Sequence, residues 1–212
     1  MDELAPGLWR WTGLHPDWKP TDGGPNGWEQ EVGCVYYEAP DAICLVDPLV
    51  PPEDSDGFWT ALDRDVERAK RPVAALLTVP WHGRSAPELV GRYGAELWAS
   101  AAALGADGPA VTHPYQVGDP LPGGLVAFEA AAEIVYWIPE HRAAIPGDIL
   151  LGDGAGGVRI CPPSWLPKGT TLENLRDSLR PLLDLHVERI LVSHGEPVLA
   201  GGRAALTRAL EA

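Results

Sequence analysis

Apolar positions along the chain follow two patterns. The runs Ile43-Cys44-Leu45-Val46, Val73-Ala74-Ala75-Leu76-Leu77 and Ile134-Val135-Tyr136-Trp137-Ile138 are continuous rather than alternating, which predicts strands covered on both faces. Other segments carry apolar residues at helical spacing. Asp54 to Lys70 places Phe58, Trp59, Leu62, Val66 and Ala69 on one stripe, and a later stripe joins Leu172, Leu175, Leu179, Leu182 and Leu183. Thr170 is expected to cap that second helix with Glu173 reaching back, and Pro181 to kink or split it. Ser85-Ala86-Pro87-Glu88 fits a capping box that opens a short helix to Tyr93, where Gly94 stops it. A last helix runs from Arg203 to Leu210.

The order of these segments suggests an architecture. A strand at Gly7 to Trp11 precedes a Pro/Gly-rich surface loop from Pro16 to Gly27. Cys34–Glu38 and Ile43–Asp47 then form a hairpin about Pro40-Asp41. A strand, helix, strand unit follows, ending at Leu97-Trp98. The second half repeats the theme with strands at Leu125–Phe128, Ile134–Ile138, Ala143–Ile145 and Arg189–Val192. Two such halves with no linker between them predict an α/β fold in which two facing mixed β-sheets are flanked by helices, an αββα sandwich occupying residues 1–212 as one domain.

Charge and cysteine content narrow the function classes. Thirty acidic against sixteen basic residues give a formal charge of −14, which repels phosphate backbones and argues against nucleic-acid binding. Cys34, Cys44 and Cys161 form no C-x-x-C pair and predict neither a disulfide framework nor a thiolate metal site. No basic and apolar leader is visible at Met1-Asp2-Glu3-Leu4, and no apolar run is long enough for a membrane span, so the expected location is cytoplasmic. Gly152-Asp153-Gly154-Ala155-Gly156-Gly157 matches G-x-G-x-x-G in form only. A strand-like segment rather than a helix follows it, so it reads as a glycine turn.

Three local signatures stand out in order along the chain: Leu45-Val46-Asp47-Pro48, Ile138-Pro139-Glu140-His141 followed by Pro146-Gly147-Asp148, and Val192-Ser193-His194-Gly195-Glu196-Pro197. Together they resemble the metallo-β-lactamase superfamily. The first is similar to the early strand that ends in a structural aspartate. The second resembles the segment that delivers a metal-bridging aspartate. The third resembles the segment that carries the last histidine ligand. The family's H-x-H-x-D-H cluster would follow the strand Ala75-Leu76-Leu77-Thr78, but by position its ligands here are Val79, Trp81, Gly83 and Arg84, none of which holds zinc. Counting back from Ile138-Pro139-Glu140 puts Glu129 at the place of a further histidine.

The resemblance therefore leaves Asp148 and His194 as metal candidates, Glu129, Trp81 and Arg84 as residues of a remodelled cleft, and His82 as a proton-transfer candidate one residue out of register. Arg84 is expected to pair with Asp148 or Glu129, replacing the charge of a lost metal. In the first of three readings the binuclear zinc site is gone, no metal is bound, and the old cleft takes a small molecule or a partner. In the second, one zinc, manganese or iron ion on Asp148, His194 and Glu129 supports hydrolysis. Trp9, Trp11, Trp18 and Trp28 cluster in and around the N-terminal loop, where they would line a cleft or, in the third reading, the interface through which a non-catalytic subunit self-associates as a homo-oligomer. Beyond those four, His15, His113, His141 and His186 read as structural or exposed.

Overall fold

Seven strands lie side by side in the order in which the chain makes them. They are β1 (Asp2–Ala5), β2 (Leu8–Leu14), β3 (Glu31–Glu38), β4 (Ile43–Val46), β5 (Val73–Leu77), β6 (Glu96–Ser100) and β7 (His113–Tyr115). Strands β1 to β4 run antiparallel, whereas β4 to β7 are parallel. Parallel neighbours need crossovers. Here α1 (Ser55–Ala69) joins β4 to β5, and α2 (Ala86–Tyr93) joins β5 to β6. The computed structural model describes residues 1–24, 26–102, 104 and 110–212. Pro25, inside the expected loop Pro16 to Gly27, lies outside the described residues.

A second sheet has four strands in the order β13-β10-β9-β8, comprising β8 (Val126–Ala130), β9 (Glu133–Ile138), β10 (Ala143–Ile145) and β13 (Arg189–Ile190). Between β10 and β13 the chain forms a small hairpin of β11 (Leu150–Gly152) and β12 (Val158–Ile160), with the glycine run as its turn. Then come α3 (Leu172–Leu179) and, after β13, α4 (Gly202–Glu211).

Side-chain alternation explains why the strands read as continuous apolar runs. Cys44 and Val46 point into a core shared with Ile134, Tyr136 and Ile138 of the second sheet. Ile43 and Leu45, on the opposite face, pack with Phe58 and Leu62 of α1 and Leu89 of α2. Val135 and Trp137 likewise face away from the first sheet, toward Leu175 and Leu179 of α3 and Leu206 of α4. Four layers result: helix, sheet, sheet, helix. The buried Tyr136 hydroxyl lies 2.7 Å from that of Tyr115 and donates to the Leu77 carbonyl at 2.9 Å, so the inter-sheet core contains no unpaired phenol there.

Two capping expectations are corrected. Thr171, not Thr170, caps α3, accepting from the Asn174 amide while the Asn174 side chain accepts from the Thr171 amide. Ser85 precedes α2 without capping it, because its hydroxyl accepts the Val50 amide at 3.0 Å. Pro181 acts as expected: α3 stops at Leu179 and a 3₁₀ turn, Arg180–Asp184, takes over. Among the described residues, no helix is long and apolar enough to cross a membrane.

Candidate metal centre

Four strand ends deliver the polar residues of one cleft. Asp47 follows β4, Thr78 and His82 follow β5, Asp148 follows β10, and His194 comes shortly after β13, which runs parallel to β10. Ligand sites in sheets of this kind lie beyond the carboxyl ends of parallel strands. Asp47 has a left-handed backbone (φ 50°), a conformation aspartate tolerates better than most residues, and this turns its carboxylate back over the strand ends. There it accepts the Thr78 amide at 2.8 Å and the Thr78 hydroxyl at 2.6 Å.

The buried His82 ring lies between two carboxylates. Its Nδ1 is 3.0 Å from Asp47 Oδ2, and its Nε2 is 3.3 Å from Asp148 Oδ1. His194 Nε2 approaches the same Asp148 oxygen, also at 3.3 Å. One ligand atom from each of His82, Asp148 and His194 lies within 4.8 Å of the others. Asp148 Oδ1 is nonetheless buried without a hydrogen bond of acceptable geometry, and so is His194 Nδ1. The other Asp148 oxygen accepts the Trp81 indole N–H at 3.1 Å, and the Asp148 amide donates to Glu133 Oε2 at 2.7 Å.

These residues fit a single metal ion. Donor atoms about 2.0–2.1 Å from a tetrahedral centre are about 3.3–3.4 Å apart, the spacing seen at both Asp148–imidazole contacts. A neutral His82 that donates Nδ1–H to Asp47 would carry its lone pair on Nε2, facing Asp148, which is the tautomer a ligand needs. Two imidazoles and a carboxylate would offer an ion three protein ligands and leave a fourth tetrahedral position open.

Electrostatics without an ion follow from the same contacts. Burial alone lowers the His82 pKa, but Asp148 and then Asp47 outweigh it and raise it to about 9. Burial opposes ionisation of Asp148, yet the two imidazoles hold it well below the usual carboxylate range. Glu133 is pushed up to about 8, first by burial and then by the Asp148 charge.

The cleft around this cluster has a volume of about 540 Å³ and is lined by His15, Asp17, Trp28, Trp81, Arg84 and Trp165 besides the three ligand candidates. Trp28 and Trp165 both pack against the His194 ring, with centroids 5.1 and 6.4 Å away. Trp81 stands at the mouth, 63% exposed.

Several sequence expectations are revised by these positions. His82 joins Asp148 and His194, although it occupies none of the family's ligand positions by count. Glu129 is exposed on β8, paired with Ile134, and takes no part; the carboxylate near Asp148 is Glu133. The expected pairing of Arg84 with Asp148 or Glu129 is not found among the described residues: its NH1 reaches only the Asp47 carbonyl, at 3.5 Å. Of the N-terminal tryptophans, Trp28 lines the cleft, whereas Trp11 is buried and donates to the Leu49 carbonyl at 2.8 Å. His15, read as structural or exposed, is a cleft residue, and burial and then the Arg84 charge lower its pKa, leaving it neutral at pH 7.

By sequence, no family model and no curated protein matches the chain. Solved structures do. The mono-zinc form of the metallo-β-lactamase FIM-1 from Pseudomonas aeruginosa superposes with a TM-score of 0.67 at 15% identity, covering 99% of this chain and 93% of that one. The fold is that of the metallo-β-lactamases. A metallo-β-lactamase from Pontibacter korlensis gives 0.66 at 16% identity, over 99% and 95% of the two chains. Metallo-β-lactamase IND-7 gives 0.66 at 18%, over 100% and 97%. At such identities the metallo-β-lactamase likeness establishes architecture and topology, and the site must be argued from its own residues.

Proposed function

We propose that the chain is a single-metal hydrolase of metallo-β-lactamase fold, with His82, Asp148 and His194 as its ligands. The observation that carries this reading is the approach of two imidazole Nε2 atoms to one buried carboxylate oxygen, each at 3.3 Å and neither in hydrogen-bond geometry. Trp81 supports a count of one ion, because its indole N–H engages the second Asp148 oxygen. An ion on this donor set would act as a Lewis acid and lower the pKa of bound water. Zinc, manganese and iron all suit imidazole with carboxylate.

The chain's own residues hold and orient. Asp47 fixes the His82 tautomer, Glu133 fixes the Asp148 backbone, and Trp28 and Trp165 restrict the His194 ring. His82 becomes a ligand rather than a general base, since both of its nitrogens are committed. The reaction class is hydrolysis of an ester, thioester or lactone: the acyl carbon gains the oxygen of water, its bond to the leaving oxygen or sulfur breaks, and the leaving atom gains a proton.

Elemental analysis tests this reading on protein purified without chelator, beside His82→Ala, Asp148→Ala and His194→Ala. One ion per chain, absent from all three variants, together with acyl hydrolysis that is lost when a chelator is added, is the expected result. Wild-type protein that retains no ion after incubation with excess zinc, manganese or iron overturns it.

One observation favours a second reading. His82 faces a carboxylate at each nitrogen, so a protonated ring can itself bridge Asp47 and Asp148. The cleft is then a metal-free binding site, and the same elemental analysis selects between the two.

A further inference from the structure

Arg84 is a guanidinium with donors to spare. It follows the 3₁₀ turn Pro80–Gly83 and lines the cleft, where NH1 makes a single long hydrogen bond to the Asp47 carbonyl at 3.5 Å and the buried Nε makes none. Among the described residues no carboxylate oxygen lies within 4.0 Å of it, although the chain carries thirty acidic residues and Asp17 lines the same cleft. A guanidinium offers five N–H donors in a planar fork that matches a carboxylate.

Three tryptophans supply the planar, apolar part of the lining. Trp28, Trp81 and Trp165 present indoles around a volume of about 540 Å³, within the size range of small-molecule sites. The 63% exposure of Trp81 leaves much of that indole free for a ligand. One guanidinium balances one carboxylate. Asp17 and Asp148 in the same cleft oppose an anion of higher charge, such as a phosphate dianion, more strongly than a single carboxylate.

We propose that the cleft binds a small aryl carboxylate, its carboxylate held by Arg84 and its ring packed against Trp28, Trp81 and Trp165. Resting on the hydrolase reading, this also names the substrate class: an ester, thioester or lactone that bears a carboxylate and a planar apolar group. Arg84 and Trp81 are then specificity residues, and neither is a metal ligand.

Isothermal calorimetry with three probes tests the proposal on both chelator-treated and zinc-loaded protein. Phenylacetate carries both features, phenylacetamide lacks the charge, and acetate lacks the ring. Chelator-treated wild-type protein is expected to bind phenylacetate more tightly than either of the others. Arg84→Gln is expected to weaken phenylacetate about 10- to 100-fold, as loss of charged hydrogen bonds does, and to leave phenylacetamide unchanged. Arg84→Lys should recover part of the loss, and Trp81→Ala should weaken both aryl probes. An unchanged circular dichroism spectrum and melting temperature show that each variant is folded. Equal binding of phenylacetate and phenylacetamide, no binding of either, or phenylacetate affinity unaffected by Arg84→Gln overturns the proposal. Because the chelator-treated arm needs no ion, a failure there is separate from a failure of the metal reading, which elemental analysis decides.

Discussion

Asp47 Oδ2 and His82 Nδ1 are 3.0 Å apart, so an aspartate from the end of one strand sets the orientation of a histidine from the end of the next. Asp47 is not among the three ligand candidates, but it decides which His82 nitrogen faces them. Outer carboxylates of this kind typically change metal affinity 10- to 100-fold when replaced. Asp47→Asn is therefore expected to lower zinc affinity by roughly that factor, read by competition with a chromophoric chelator. Unchanged affinity would show that the Asp47–His82 contact is structural only.

Metal-free protein should lose stability as pH rises. The His82 pKa is raised from 6.5 to about 9, so its contribution is fully present below pH 6.5 and disappears as pH climbs through 9. The shift corresponds to a contribution on the order of 3 kcal/mol. Glu133 acts in the same direction: its pKa is raised to about 8, so the folded state holds its proton above pH 4.5 and stability falls between there and 8. Urea unfolding of chelator-treated protein at pH 6 and pH 9.5 is the measurement. Equal midpoints at the two pH values would contradict it.

A side chain at Gly147 would crowd the bond between Glu133 and the Asp148 amide. A Cβ there would be 2.5 Å from Glu133 Oε2 and 3.0 Å from the Thr78 hydroxyl. Gly147→Ala should push Glu133 away from the Asp148 amide, destabilise the fold by about 1–3 kcal/mol and reduce metal retention. Urea midpoints and elemental analysis together check this, and a variant as stable and as metal-rich as wild type would refute it.

The hairpin between β8 and β9 carries an unfavourable turn. Ala130 pairs with Glu133, and the two residues between them, Ala131 and Ala132, both have positive φ (52° and 67°). Such turns favour Asn-Gly, and a Cβ in that region is strained. The double substitution Ala131→Asn with Ala132→Gly is expected to stabilise the protein by about 1 kcal/mol, raising Tm by about 2–4 °C. A melting temperature that stays level or falls would exclude strain at this turn.

That same hairpin shows why the fold was more legible in the sequence than the site. Strands buried on both faces announce themselves as apolar runs, and Gly94 and Pro181 mark helix ends by chemistry that acts locally. Glu129 and Glu133 are four residues apart in one segment, and counting back from β9 cannot reveal which of them faces Asp148. Alanines give no signal that they form a two-residue turn. The Thr170–Glu173 spacing points to a cap one residue before the one the helix uses, because Thr171 and Asn174 offer the same pair of groups one position later. The ligand spacing of H-x-H-x-D-H passes over His82, which is placed instead by a 3₁₀ turn after β5 and the reach of Asp47. Trp28 and Trp165 are far apart in sequence: the approach of β3 to the segment after β13 brings Trp28 to His194, and the 3₁₀ turn Pro163–Trp165 after β12 brings Trp165.

That approach has a mechanical consequence. Val32 forms an antiparallel bridge with His194, and the Gly33 amide donates to the Ser193 carbonyl at 2.7 Å, so a candidate ligand in the second half of the chain is stitched to a strand of the first. The seam closes at the floor of the cleft. Prising the two sheets apart would break these bonds and displace His194, so the geometry of the cleft depends on the two halves staying joined.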